Sequence, residues 1–110
     1  MAKSPNPTEE LSPFATPALL VLATLADGPK HGYAIMQESE RLSGQPLGPG
    51  TLYAALARLE RRGLIEAIHS DDRRRPYRLT GLGASTLQAH LAQLQSFTTA
   101  ALGRLEGGAA

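Results

Sequence analysis

Seven arginines lie between Arg58 and Arg78, a density that favours binding to a polyanion. The same segment contains four acidic residues, so it has an excess of three positive charges in a chain whose net charge is only +1. Arginine binds phosphates and guanine edges through a planar fork of N–H groups. Three of these residues are consecutive, Arg73, Arg74 and Arg75, and we expect them to contact phosphates. The alternative is an ordinary charged turn, partly neutralised by neighbouring acids.

One helix must position the first of these arginines, and its sequence is GPGTLYAALARLERRGLI, residues 48–65. Leu52, Ala55, Leu56 and Leu59 recur at the spacing of one helix face, which predicts a stripe buried against a helical core. The opposite face is small, polar or cationic, as entry into a major groove about 12 Å wide requires. The predicted DNA contacts on this helix are Pro49, Gly50, Thr51, Tyr53, Ala54 and Arg58. Spacing alone favours a core role and a DNA contact equally for Tyr53.

Two further helices are predicted before this segment. The first begins near Thr16 and Pro17, a favourable N-cap and first-residue pair, although an earlier start at Ser12 is also compatible with the sequence. The second runs from His31 or Gly32 to Leu42 and is closed by Ser43 and Gly44. Its predicted inward residues are Tyr33, Ile35, Met36 and Leu42.

Two strands are predicted after Gly63, over Leu64–Ser70 and Pro76–Thr80, joined by the charged tip Asp71–Arg75. Three helices followed by a hairpin with a basic tip predict a winged helix-turn-helix. The fold class is therefore mainly α with a small β-hairpin, followed by a long C-terminal helix.

The C-terminal helix is predicted from Leu82 onward, with Thr80 as its cap. Its apolar residues alternate by four and three, the spacing of a helix-helix seam, and we expect this seam to join two copies of the chain. The residues assigned to dimerisation are Leu87, Leu91, Leu94, Phe97, Thr98, Ala101 and Leu105. The alternative is that the stripe packs on the core of its own domain.

These elements divide the chain into four parts. We expect a flexible arm over residues 1–12, a DNA-binding domain over 13–80, a dimerisation helix over 81–106 and a flexible tail over 107–110. The longest strongly apolar run is about half of the roughly 20 residues that span a bilayer, and no export signal is evident. We therefore expect an intracellular, cytoplasmic protein.

No feature of the sequence predicts an enzyme, a cofactor or a metal site. The chain has no cysteine, and His31, His69 and His90 lack the spacing of metal ligands. It contains no nucleophile elbow, and the glycines of residues 44–50 are not followed by the lysine of a phosphate-binding loop.

Three segments of the chain together resemble the PadR family of transcriptional regulators. They are LATLADGPKHGYAIMQES, LGPGTLYAALARLERRGLIE and DDRRRPYRLTGLG, in the family's order and spacing. The resemblance implies a winged helix, dimerisation through the last helix, and repression from a palindromic operator until a signal releases the protein. It also implies that Thr51 and Tyr53 contact DNA and that Arg73 to Arg75 form the tip of the wing. The family commonly has acidic or polar residues where Gly81, Leu82 and Gly83 stand here.

Some compact relatives bind flat aromatic drugs between tryptophans at the dimer centre. This chain has no tryptophan, which weakens that expectation, although a smaller apolar effector remains compatible with the sequence. Two alternatives to a PadR-like regulator stay open at this point. One is a winged helix that binds a protein partner without binding an operator, and the other is membership of a different dimeric winged-helix family.

Overall fold

The computed structural model describes residues 7–11, 13–69 and 75–108. A 3-10 helix over Pro7–Leu11 precedes three helices, α1 (Pro17–Thr24), α2 (Gly32–Ser43) and α3 (Pro49–Arg61). A two-stranded antiparallel hairpin follows, made of β1 (Ile65–Ala67) and β2 (Tyr77–Leu79), and the long helix α4 covers Gly81–Gly108. The predicted fold class, a winged helix-turn-helix with a long C-terminal helix, is confirmed.

The ends of the helices are set by the residues that the sequence singles out. The Thr16 hydroxyl accepts a hydrogen bond from the Leu19 N–H at 3.1 Å and so caps α1, whose first residue is Pro17. Gly63 has a φ of +73° and follows the last turn of α3. Its N–H and that of Leu64 donate back into this turn, each at 3.0 Å, which ends the helix in a Schellman motif.

The core lies where α1, α2 and α3 meet, and it is closed by the hairpin and the first turns of α4. Its buried side chains come from every one of these elements and are all aliphatic. They are Val21, Leu22, Leu25, Ile35, Leu47, Leu52, Ala55, Leu56, Leu59, Ile65 and Leu87. The predicted stripe of α3 is thus buried in full.

The prediction that Tyr33 points inward is wrong, since its side chain is 65% exposed. The buried residues of α2 are Ile35 and Ser39, which are four apart, as one helix face requires. Tyr33 precedes Ile35 by two positions and therefore lies on nearly the opposite side of the helix. Leu42, also predicted inward, is 57% exposed.

Both strands are shorter than predicted, although backbone pairing continues past them: the Thr80 N–H donates to the Leu64 carbonyl at 3.2 Å, and the Ile68 N–H donates to the Pro76 carbonyl at 2.8 Å. Leu64 completes the end of α3, and the Thr80 hydroxyl donates to the Gly63 carbonyl at 2.6 Å and accepts from the Gly83 N–H at 3.0 Å. At the other end, Pro76 has no N–H to donate to a ladder. The hairpin also pairs with the segment before α2, since Lys30 and Tyr77 exchange two backbone hydrogen bonds of 3.0 and 2.8 Å.

Helix α4 extends far beyond the compact part of the molecule. After Leu87 every residue up to Gly108 is exposed except Ala101, which is half-buried. The Cα radius of gyration is 17.0 Å, against about 13 Å expected for a compact chain of this length. The helix also continues through Gly107 and Gly108, which were predicted to belong to a flexible tail. Its last turn tolerates glycine because helix ends are weakly constrained.

Lys30 connects three segments of the domain through its ammonium group. This group donates to the Thr24 carbonyl at the end of α1, at 2.6 Å, and to the Asp27 carboxylate, and it lies 3.6 Å from Glu38 of α2. The Lys30 side chain is only 13% exposed, whereas that of Asp27 is 81% exposed. Most of the stabilisation should therefore come from the bond to the Thr24 carbonyl.

We expect Lys30→Met to lower the free energy of unfolding by about 2 kcal/mol, because the Thr24 carbonyl loses a charged donor while the aliphatic stem stays packed. Urea unfolding measures this change. Asp27→Asn is the control and should have almost no effect at pH 7, since that side chain is solvated. The Lys30 hydrogen bond lowers the pKa of Asp27 below 3.8, so its small contribution exists above about pH 4 and is lost on acidification. A larger loss in Asp27→Asn than in Lys30→Met would contradict this assignment.

Candidate nucleic-acid interface

The first turn of α3 lies at the surface and is free of acidic residues. Pro49, Gly50 and Thr51 are all exposed, while Leu52 behind them is 1% exposed and fixes the orientation of the turn. The N-cap residue, Gly48, makes no side-chain capping bond to the N–H groups of this turn. The helix therefore presents small residues, a hydroxyl and the positive end of its dipole on one side.

Tyr53 and Ala54 are also exposed; Ala54 lies opposite the buried stripe of α3, while Thr51 and Tyr53 flank the stripe on its two sides. Spacing alone is compatible with either a core role or an exposed role for Tyr53. Its side chain is 56% exposed, which excludes full burial in the core. Ala54 offers a small surface next to it. Thr51, Tyr53 and Ala54 are therefore all exposed at the start of α3.

The hairpin packs against α3 through β1, and its own arginines differ in their surroundings. Arg75 is exposed. Arg78 donates to the Glu66 carboxylate across the two strands at 2.8 Å, so its charge is already paired. Arg73 and Arg74, which the sequence assigns to the wing tip, lie outside the described residues.

The phenol of Tyr77, in the hairpin, is influenced by residues of α3. The pKa of its phenol is raised above 10, chiefly because the side chain is partly buried, and further because Glu60 and Tyr53 disfavour a phenolate there. Arg75 acts in the opposite direction and lowers this pKa. Tyr53 of α3 and Arg75 of the hairpin therefore act on the same phenol in opposite directions.

Arg58 lies apart from the other predicted DNA contacts. It is two turns below Thr51 on α3 and, with Arg62 and His90, lines a groove of about 380 Å³ between α1, α3 and α4. The floor of this groove is apolar and includes Leu59 and Leu87. Arg61, in the last turn of α3, is exposed to solvent.

The residues assigned to dimerisation divide into two groups. Leu87 lies in the core of its own domain and is 4% exposed. The others lie on the protruding part of α4, where Leu94 is 40%, Phe97 63% and Leu105 70% exposed. Leu91, 45% exposed, is at the junction between the core and this free apolar stripe. The remaining members are Thr98 and Ala101.

Three features near this surface were not found by sequence reasoning. Tyr33 is exposed in the first turn of α2, which the spacing of Ile35 and Ser39 would have indicated. Gly32 lies in contact with Tyr53, and Lys30 pairs with Tyr77. Both of these contacts join residues more than 20 positions apart, so no local pattern predicts them.

The comparisons with known proteins agree with this architecture. The sequence pattern of the "Transcriptional regulator PadR-like family" matches residues 21–89, from the middle of α1 into the first turns of α4. The chain belongs to the PadR family. The match covers the exposed turn of α3, the hairpin and the start of α4 together.

Similar proteins occur in several bacteria. A transcriptional regulator of Mycobacterium tuberculosis is 35% identical over 88 residues, which cover 77% of this chain and 81% of that protein. A PadR family transcriptional regulator from Eggerthella lenta has a solved structure with a TM-score of 0.67 and 32% identity, covering 81% and 80% of the two chains. An uncharacterized 37.1 kDa protein in a Streptomyces fradiae transposon is 51% identical over 70 residues, 64% of this chain. The chain spans only 20% of the length of that Streptomyces relative.

Membership of the PadR family makes the chain a DNA-binding transcriptional regulator and not an enzyme, as the sequence predicted. Members of this family bind DNA and typically act as dimers. In the part of the chain that the structure describes, no helix has the length and hydrophobicity needed to cross a bilayer.

Proposed function

We propose that this PadR-family protein is a homodimeric repressor that binds a palindromic operator and is released from it by a small-molecule or other signal. The observation that supports this function most directly is the exposed, acid-free first turn of α3. The proposed DNA contacts are the α3 residues Pro49, Gly50, Thr51, Tyr53, Ala54 and Arg58 and the wing residues Arg73, Arg74 and Arg75. Thr51, Tyr53 and Ala54 face the major groove, and the wing arginines bind phosphates.

The free stripe of α4 supports dimerisation. Leu94, Phe97 and Leu105 lie on one side of a helix that protrudes from its domain, and an isolated helix of this kind would expose its apolar side chains to water. A second copy of α4 would cover them. Because the operator of a twofold dimer reflects its symmetry, we expect two half-sites about 34–36 Å apart.

Fluorescence anisotropy tests the proposed function. The labelled duplexes are the protein's own upstream region and a scrambled sequence of equal length, each titrated at two salt concentrations with the stoichiometry recorded. We expect binding of two chains per site, a marked preference for the upstream region, and affinity that falls steeply with salt as counterions are released. Absence of binding to both duplexes by the folded protein would contradict operator binding and favour a protein-binding winged helix.

The direction of regulation needs a test in cells. A reporter fused to the upstream region should become more active when the gene for this protein is deleted, because a repressor is lost. Reduced reporter activity would instead identify an activator. Compounds that restore reporter activity in the presence of the protein are the candidates for the releasing signal.

We expect Arg75→Ala to weaken binding to the operator and to the scrambled duplex by similar factors, since a phosphate contact contains little base information. The slope of log K against log salt should fall by about one, the value for one lost phosphate contact. Arg41→Ala is the control, because Arg41 is an exposed arginine that lies beside Asp27 and Glu38 in a separate surface groove. An unchanged slope in Arg75→Ala would remove this residue from the DNA contacts.

A further inference from the structure

Gly32, the first residue of α2, lies directly against the side chain of Tyr53. A Cβ atom added at Gly32 would be 3.1 Å from the Tyr53 hydroxyl oxygen, 3.4 Å from Cε1 and 3.5 Å from Cζ. The last two distances are ordinary van der Waals contacts, but the first is shorter than most real contacts of a Cβ. A side chain at this position would therefore push the end of the tyrosine away by a few tenths of an ångström.

The backbone gives no reason for a glycine at position 32. The glycines with positive φ are Gly28, Gly44 and Gly63, and Gly32 is not among them. Alanine at the first position of a helix is normally tolerated and often stabilises a protein, because it reduces the freedom of the unfolded chain. The structural demand for glycine at position 32 therefore comes from the space that Tyr53 occupies.

Tyr53 lies where three elements meet. Its backbone belongs to the exposed turn of α3, and its hydroxyl lies at the start of α2. It also lies close enough to Tyr77 of the hairpin to influence that phenol. Tyr77 in turn pairs through its backbone with Lys30, two residues before Gly32. The position of the Tyr53 ring is thus limited by the start of α2 as well as by its own helix.

We propose that Gly32 is a positioning residue for DNA binding: by having no side chain, it lets the Tyr53 hydroxyl lie across the first turn of α2, in the orientation that contacts DNA. This inference rests on the proposed contact between Tyr53 and DNA. It joins the GPKHGY segment physically to the PGTLY segment, since the glycine of the first makes room for the tyrosine of the second. The turn before α2 thereby affects operator affinity.

A double-mutant cycle on the full chain tests this proposal. The variants are Gly32→Ala, Tyr53→Phe and the two combined, with Gly81→Ala as the matched control. Gly81 is likewise the first residue of its helix, but an added Cβ there meets nothing within 4 Å. For each protein, anisotropy gives the dissociation constant for the upstream duplex, and thermal unfolding at a fixed protein concentration gives Tm.

We expect Gly32→Ala to weaken DNA binding roughly fivefold, comparable to losing one hydrogen bond. In the Tyr53→Phe background the same substitution should not weaken binding further, because the atom that the Cβ would displace is absent. There it should leave Tm unchanged or raise it, and Gly81→Ala should leave DNA binding unchanged.

NMR adds a readout that does not depend on DNA. The chain has three tyrosines and no tryptophan, so the ring resonances can be followed individually. In Gly32→Ala the Tyr53 ring signals should shift far more than those of Tyr33, which is adjacent in sequence but points into solvent about 100° around α2 from position 32.

Three results would overturn the proposal. Gly32→Ala could bind DNA as well as the wild type, it could weaken binding equally with and without the Tyr53 hydroxyl, or Tyr53→Phe could bind normally while Gly32→Ala does not. The titration of the wild-type protein with DNA distinguishes these three results from a failure of the proposed function. If the wild type binds no DNA, operator binding itself is wrong; if it binds and the cycle is additive, only the role of Gly32 is wrong.

Discussion

Replacing Gly83 by alanine is expected to destabilise the fold by about 3 kcal/mol, because the new methyl group would collide with backbone that cannot move aside freely. An added Cβ would lie 1.9 Å from the Leu64 carbonyl oxygen, 2.9 Å from its carbon and 3.3 Å from its Cα. Leu64 belongs to the motif that ends α3, and Ile65, which follows it, is buried in the core. Relief of the clash must therefore shift α4, the base of the hairpin, or both.

Urea unfolding followed by circular dichroism measures this effect, at one fixed protein concentration because dimerisation would contribute to stability. Gly103→Ala and Gly81→Ala are the controls, since both are in α4 and an added Cβ meets nothing within 4 Å at either position. These two substitutions should be neutral or mildly stabilising, as alanine favours a helix. Equal unfolding midpoints for Gly83→Ala and the wild type would show that α4 does not approach Leu64 this closely.

Replacing Leu94 by glutamate is expected to weaken self-association by more than a hundredfold. In a dimer formed through the free stripe, the substitution buries two unpaired carboxylates, one from each copy, and each would cost several kcal/mol. In the single chain Leu94 is 40% exposed and is not part of the core, so the fold itself should tolerate the change. Loss of the dimer should also abolish tight operator binding, because one recognition helix reaches only one half-site.

Sedimentation velocity at several concentrations measures the association. The control is Ser96→Glu, which adds the same charge two residues away, nearly opposite the stripe on a helix of 3.6 residues per turn. This variant should dimerise like the wild type. An intact dimer in Leu94→Glu would place the interface on another surface of the molecule.

The parts of the fold that were predicted correctly depend on neighbours in sequence. The buried face of α3 follows from the recurrence of Leu52, Ala55, Leu56 and Leu59, and its end follows from Gly63. The cap of α1 by Thr16 is equally local. Such features are visible in a sequence because one helical turn contains all the atoms that decide them.

The parts that were missed depend on contacts between distant segments. Glycine has a low intrinsic helix propensity, so local sequence predicts only that Gly83 weakens α4. That α4 needs a glycine here in order to approach Leu64 depends on a contact between distant segments. The hydrogen bonds of the Thr80 hydroxyl to Gly63 and Gly83 have the same origin, since they join the end of α3 to the start of α4. Tyr33 is a different case: its large ring favours burial, but the period of the buried residues Ile35 and Ser39 places it on the exposed side of α2.

For the candidate site, the exposed surface could be predicted from the sequence, but the contacts that its residues make with other elements could not. The exposure of Thr51 and Tyr53 follows from the α3 stripe, because residues off a buried stripe face solvent. The groove that Arg58 shares with His90 could not be predicted, since it depends on how α4 crosses the end of α3. The pairing of Arg78 with Glu66 depends similarly on strand register, which places these two residues opposite each other.

The close packing of Gly83 on Leu64, together with the hydrogen bonds of Thr80, leaves no flexible linker between the hairpin and α4. In a dimer, each α4 would therefore act as a lever arm fixed to its own DNA-binding domain. A rotation of about 5° at one end of a helix about 40 Å long moves the other end by about 3.5 Å. That displacement is about one base-pair step. A small change in the angle between the two arms would therefore move the recognition helices out of register with their half-sites.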